Sequence, residues 1–205
     1  MLSKMKDSKV ISLYLDTASK ALAVGCKSGN HVYTLDLGNP KAALERTNLG
    51  ISLLCEKGSF ALKDVDCFYC LLGPGSNTGI RLGLTIPRTI YAFNPKIRIF
   101  GIPTMDLLCT MGDRAVLSDR NGNLFYAEKK EGKVSYHRVD KKDVQSLAKD
   151  GAIVVEEKDD MAIDELAGYD LKKVNVLSLM IDKEKEFKDF SEDEESYLPE
   201  YIMKI

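Results

Sequence analysis

Residues 68–84 constrain the fold most. Phe68, Tyr69, Cys70, Leu71 and Leu72 have the length and apolar composition of a buried strand. Gly73, Pro74 and Gly75 then make a turn, and residues 78–93 follow a helical pattern. Ser76, Asn77 and Thr78 are each able to cap that helix by offering a side-chain oxygen to the free N–H groups of its first turn. A further strand pattern at residues 98–102 follows the helix, so the chain returns parallel to its first strand through a right-handed crossover. That connection places the chain in the α/β class. The corner itself admits two readings: a tight strand-to-helix turn, or a cradle in which backbone amides and the positive helix end meet an anion.

Upstream, residues 9–15, 21–27 and 31–37 read as three strands, linked by Asp16, Thr17, Ala18 and Ser19 and by the hairpin turn Ser28, Gly29, Asn30. Gly38 breaks the pattern. Asn39 as cap and Pro40 at the first helical position predict a helix over 41–57, ended by Gly58. Pro87 cannot donate to the Gly83 carbonyl, which predicts a kink in the second helix. The order β-β-β-α-β-α-β is the front half of an actin-like, ribonuclease-H-like domain. The second half repeats it more weakly. A short helix at 103–111 precedes strands at 114–118, 124–129 and 133–139, with an Asn-Gly turn at Asp119, Arg120, Asn121 and Gly122. A helix at 141–149, a strand at 152–156 and helical candidates at 163–167 and 174–181 follow, and residues 182–196 read as a solvated charged run. The expected architecture is an actin-like (ASKHA) α/β fold of two lobes. Residues 1–102 form the first and residues 103–205 a reduced second, with its tail docking back on the first.

Composition narrows the function classes. The 205 residues are 44% hydrophobic, enough for a sizeable core, yet no run of 18 apolar residues is present to span a membrane. Residues 1–9 are charged and short of the apolar stretch of a signal peptide, so a cytoplasmic location is expected. The five cysteines then read as reduced thiols. Cys67 and Cys70 fall on opposite faces of a strand, and His31 and His137 lie far from them, so no metal site is expected. The net charge of −2 is uneven: residues 1–102 carry 13 Lys and Arg against 7 Asp and Glu, and residues 103–205 carry 16 against 24. A basic front half suits an acidic partner or polyanion as well as it suits ordinary surface scatter.

The corner resembles a motif of the bacterial TsaB (YeaZ) family. Leu72, Gly73, Pro74, Gly75, Ser76, Asn77, Thr78, Gly79, Ile80, Arg81, Leu82, Gly83 and Leu84 are similar to its G-P-G-S-F-T-G-L-R-I-G-L. Residues 15–22 resemble the family's I-D-T-S-x-x-x-L opening. Pro199, Glu200, Tyr201 and Ile202 resemble its P-x-Y-L-R ending, with Met203 in place of arginine. The chain departs from the pattern at Asn77 and Pro87. It also departs at Thr47, Asn48 and Leu49, where H-S-E is usual, and from Ser118 to Phe125, where D-A-R-x-G-E-V-Y is usual.

The resemblance implies a non-catalytic scaffold. A TsaD-like transferase and a TsaE-like ATPase are its implied partners, in forming N6-threonylcarbamoyladenosine beside the anticodon of tRNA. No cofactor is required, ATP or ADP would bind at the partner interface or in the complex, and tRNA contact would be indirect. In isolation the same surface would pair two copies of the chain. The helices at 41–57 and 78–93 are the implied interface, with Gly73, Pro74, Gly75, Ser76, Thr78, Gly79, Ile80, Arg81, Gly83 and Leu84 as its loop and helix residues. Gly79 and Gly83, one turn apart, would let another helix or strand approach closely. Asp16, Thr17 and Ser19 mark a remnant nucleotide site, without the glycine a phosphate loop needs. Arg81 would either meet a carboxylate, phosphate or tRNA, or brace the corner. Lys20, Arg88, Lys96 and Arg98 would form a basic face. No nucleophile–base pair stands out. The competing readings are a small actin-like kinase or nucleotide hydrolase, and a peptidase.

Overall fold

The computed structural model describes residues 9–38 and 41–192. Six strands form the first sheet. β1 (Ile11–Asp16), β2 (Ala23–Ser28) and β3 (His31–Asp36) are an antiparallel meander. β4 (Cys67–Leu71) and β5 (Arg98–Ile102) add in parallel beside β1 through α1 (Ala43–Gly58) and α2 (Asn77–Phe93). After α3 (Thr104–Leu108) the chain builds a second sheet on the same plan. Its meander is β6 (Arg114–Ser118), β7 (Leu124–Lys130) and β8 (Lys133–Val139). β9 (Ile153–Glu156) then pairs parallel to β6, and β10 (Leu171–Val174) parallel to β9, with α4 (Lys141–Leu147) and α5 (Asp160–Glu165) as crossovers. The chain is thus an actin-like α/β fold with an internal duplication.

The second lobe is reduced in its helices, not in its strands. Its crossover helices have 7 and 6 residues, against 16 and 17 in the first. β10 completes the five-strand repeat in a stretch where the sequence pattern placed no strand. Within the charged run, residues 182–192 are more than solvated surface. After α6 (Val176–Asp182), Glu184 accepts from the Tyr14 hydroxyl at 2.7 Å and the Lys27 ammonium at 2.8 Å. β11 (Lys188–Asp189) then pairs antiparallel with β5 on the first sheet. Phe187 and Phe190, on either side of it, are buried. The tail motif around Tyr201, and Asn39 and Pro40, lie outside the described residues.

Alternation along the strands sorts the two faces of the first sheet. Tyr14, Tyr69 and Phe100 are register partners on β1, β4 and β5 and stack with centroids 4.8 and 4.9 Å apart, while Phe187 meets Tyr69 edge-on. Gly25, in register with Tyr14, lies against Leu177 and Ile181 of α6. Val24, Leu15 and Cys70 are register partners on the opposite face. Val24 meets Gly50 of α1 and Cys70 meets Gly83 of α2, so both long helices cover that one face. The second sheet divides likewise: Ala115, Leu117 and Ala127 join the core of the first lobe, while Val116, Tyr126 and Val155 pack with Val144 and Ala162 beneath α4 and α5.

One helix end differs from expectation. α1 runs through Gly58, and Ser59 takes the left-handed capping conformation at φ 55°. α2 runs from Asn77 to Phe93 with Pro87 inside it. The carbonyl of Gly83, which Pro87 cannot serve, accepts instead from the Cys70 thiol at 3.1 Å.

Candidate functional site

The corner after β4 is assembled against the β1–β2 turn. The Gly73–Pro74 peptide is cis. Of the three capping candidates Ser76 caps α2, its hydroxyl accepting from the Gly79 N–H at 3.2 Å. The Ser76 N–H donates to the Ala18 carbonyl at 2.8 Å, and the Thr17 hydroxyl donates to the Gly79 carbonyl at 2.6 Å. A Cβ on Gly75 would stand 2.6 Å from the Ala18 oxygen, and one on Gly79 only 1.8 Å from the Thr17 oxygen. On Gly83 it would stand 2.6 Å from the Thr17 hydroxyl. The glycines therefore serve a close approach within the chain: the turn carrying Thr17 and Ala18 lies in the groove they open. Ala18 brings a carbonyl oxygen to the helix start where an anion would sit, which disfavours the cradle reading of the corner.

This packing divides the expected interface residues. Gly79, Ile80, Gly83 and Leu84 are buried in the chain's own core, and Gly73, Pro74, Gly75 and Ser76 in the corner. Thr78 and Arg81 face outward, with Asn77, Thr85 and Thr89 beside them. Phe93, at the end of α2, is 88% exposed. On α1, Leu49 and Leu53, one turn apart and turned off the buried stripe of Thr47, Gly50, Ile51 and Leu54, are 60% and 41% exposed, and Leu44 is 51% exposed.

Asp16, Thr17 and Ser19 are buried, and each is engaged within the chain. Asp16 accepts from the Ser19 hydroxyl at 2.6 Å and the Ser19 N–H at 3.2 Å. The next residue ties the turn to the second sheet: the Lys20 N–H donates to Glu156 at 2.9 Å and its ammonium to the Asp119 carbonyl at 2.9 Å. The Asp119 carboxylate closes the expected Asn-Gly turn, accepting from the N–H groups of Asn121 and Asn123 and from the Asn123 amide. Asp159 accepts from the Ser118 N–H and hydroxyl, both at 2.5 Å, and caps α5. Sequence reasoning missed Glu156 and Asp159. The available signal was an acid ending an otherwise apolar strand, Ile153–Glu156. Of the four cations of the expected basic face, Lys20 is committed to Asp119. Arg98 is committed to Asp189 at 2.6 Å and to the Phe100 ring at 4.8 Å.

The cysteines are placed for structure. Cys26, Cys67 and Cys109 are buried with Cys70, and burial pushes their thiols upward, Cys109 to about 12, away from thiolate chemistry. Among the described residues no group of His, Cys, Asp and Glu is arranged to hold a metal ion, and no helix is long and apolar enough to cross a membrane.

Solved structures share this architecture. YeaZ from Pseudomonas aeruginosa matches with a TM-score of 0.68 over 94% of this chain and 100% of that one, at 15% identity. The fold is that of YeaZ. An uncharacterized protein with similarity to peptidase YEAZ from Pseudomonas aeruginosa matches with a TM-score of 0.66 over 89% of this chain and 95% of that one, at 16% identity. No family model and no curated protein matches the sequence. The YeaZ fold accounts for the two sheets, and the corner motif occupies the β4–α2 connection within it.

Proposed function

We propose that this chain is a non-catalytic scaffold that binds a TsaD-like transferase and supports it in forming N6-threonylcarbamoyladenosine next to the anticodon of tRNA, with a TsaE-like ATPase in the same cycle. The observation that carries the reading is the outer face of α1 and α2. Both helices cover one face of the first sheet, yet Leu49 and Leu53 turn away from it and Phe93 stands almost fully exposed. Apolar side chains on adjacent helices of a YeaZ fold fit a helical bundle with a partner, and in its absence with a second copy of the chain. Corner and helix contribute differently: Gly73, Gly75, Gly79 and Gly83 fix α2 on the lobe, while Thr78, Arg81, Thr85 and Phe93 face the partner.

The reading as a kinase, hydrolase or peptidase gains nothing from the site. The polar groups of the β1–β2 turn are already bonded within the chain, and the buried cysteine thiols are pushed upward by burial. The test is co-purification of the full chain with the TsaD-like protein of the same genome. A Leu49→Glu, Leu53→Glu double variant is expected to lose the partner with an unchanged circular dichroism spectrum, because both positions are exposed. Retention of the partner by that folded variant overturns the interface.

A further inference from the structure

Two carboxylates are buried together where the sheets meet. Asp16 ends β1 and Glu156 ends β9, and neither is accessible to solvent. Asp16 has the support an anion needs: two hydrogen bonds from Ser19, with Arg120 and Lys158 near enough to favour its charge. Glu156 has a hydrogen bond from the Lys20 N–H, and the Ser19 side chain, whose hydroxyl donates to Asp16, also favours its charge, while its Oε1 is buried with no hydrogen-bond partner among the described residues. The other groups facing it do not fill that gap. Asp159 is a further acid, spent on Ser118 and α5. The Lys20 ammonium is on the Asp119 carbonyl, and the Lys158 ammonium pairs with Asp36. Arg120, from the β6–β7 turn, serves both acids through space, while its Nε and Nη2 are buried without a hydrogen-bond partner among the described residues. Two neighbouring buried carboxylates do not both ionise readily, and they titrate as a pair.

We infer that Asp16 and Glu156 share one proton at neutral pH, and that this proton holds the β1–β2 turn on β9, making the turn and the start of α2 pH-sensitive. The linkage runs through bonds already described. Lys20 joins the turn to Glu156, and two and three residues earlier Ala18 and Thr17 hold Ser76 and Gly79. When the Glu156 O–H bond breaks and its proton leaves to water, a second charge appears beside Asp16. The repulsion acts across the contact that the Lys20 N–H spans. Burial first, and the neighbouring Asp16 second, push the Glu156 carboxyl up to about 8; burial pushes Asp16 up to about 6. The contact is internal and exists whether or not a partner binds α2.

The experiment is a carbon-detected carboxyl NMR titration of the full chain, with amide hydrogen exchange corrected for its intrinsic pH dependence. The Glu156 resonance is expected to titrate on the alkaline side of neutrality. The amides of Lys20, Ser76 and Gly79 are expected to exchange roughly tenfold faster above that midpoint, while core amides such as Val116 do not. Glu156→Gln stays neutral, and its turn amides are expected to exchange slowly at every pH. Titration of Glu156 in the ordinary carboxyl range overturns the proposal. So does turn exchange that follows Val116, or that is as pH-dependent in Glu156→Gln as in the native chain. Should Glu156→Gln fail to fold, Asp16→Asn is read by NMR instead: removing its charge lowers the Glu156 midpoint, and an unmoved midpoint refutes the pairing.

Discussion

An alanine at position 79 puts helix propensity and tertiary packing in direct opposition. Position 79 lies in the first turns of α2, and alanine there is favoured over glycine by about 1 kcal/mol. Its Cβ, however, would stand 1.8 Å from the Thr17 carbonyl oxygen, where ordinary contact begins at 3.4 Å. The obstacle is backbone, so the turn has to retreat by on the order of 1.5 Å. That breaks the Thr17-to-Gly79 and Ser76-to-Ala18 hydrogen bonds, each worth about 1 kcal/mol net. With residual overpacking of about 1–3 kcal/mol, Gly79→Ala is expected to destabilise the chain by roughly 2–4 kcal/mol. Gly83→Ala meets only the movable Thr17 hydroxyl, at 2.6 Å, with the next atoms at 3.9 and 4.0 Å. Its cost is one rotated hydroxyl against the same propensity gain, a change within about 1 kcal/mol. The assay is urea unfolding of both variants in native and Thr17→Ala backgrounds. Thr17→Ala should make Gly83→Ala stabilising and leave Gly79→Ala destabilising. A neutral Gly79→Ala, or equal rescue of both, refutes the account.

Other expectations follow from single contacts. Pro87→Ala supplies the N–H that the Gly83 carbonyl lacks; it should stabilise by about 1 kcal/mol and reduce the cost of Cys70→Ala in a double-mutant cycle, since the thiol is then no longer that carbonyl's donor. Glu156 lowers stability as pH rises: its folded-state carboxyl is raised from an ordinary 4.5 to about 8, so the penalty is absent below 4.5 and complete above 8. Glu156→Gln should therefore gain on the native chain by on the order of 3 kcal/mol between pH 5 and pH 9, measured by urea unfolding at both values. Phe187→Ala removes a buried ring packed edge-on to Tyr69 and should cost about 3 kcal/mol. Asp189→Ala, which breaks an exposed pair with Arg98 and two hydrogen bonds from Ser191, should cost about 1–2 kcal/mol.

The order of elements was legible because strands and helices announce themselves by period and turn chemistry. The meander, the glycine corner and the Asn-Gly turn all fall where those signals lie. The misses have physical reasons. β10 is Leu171, Lys172, Lys173 and Val174, an edge strand whose two central lysines are exposed, so it carries neither an apolar run nor an alternation. β11 is two residues long, and its anchors Phe187 and Phe190 sit in a charged run whose composition hides them. The spacing of Gly79 and Gly83 admits a close approach by another helix or strand. Spacing alone does not say who approaches, and the occupant is the chain's own Thr17. Glu156 and Asp159 are hidden in the charged stretch at 156–160; the parallel pairing of β6 and β9 brings Asp159 to Ser118, and the Lys20 N–H ties Glu156 to the turn after Asp16.

That junction also bears on nucleotide chemistry. A phosphate placed between the β1–β2 turn and the β6–β7 turn would meet polar groups already bonded within the chain. In this chain the Asp16 carboxylate takes both the N–H and the hydroxyl of Ser19, the Thr17 hydroxyl is given to Gly79, and the Lys20 ammonium is given to Asp119. A phosphate would displace these bonds and then face the buried acids Asp16, Glu156 and Asp159, with Arg120 and Lys158 to offset them. Each displaced buried bond costs on the order of 1 kcal/mol before any repulsion between like charges. The chain on its own is therefore expected to give no ATP turnover above a buffer blank and no saturable heat on titration with ATP and magnesium. Turnover that survives purification to constant specific activity, and is lost in Arg120→Ala, would establish the hydrolase reading in place of the scaffold.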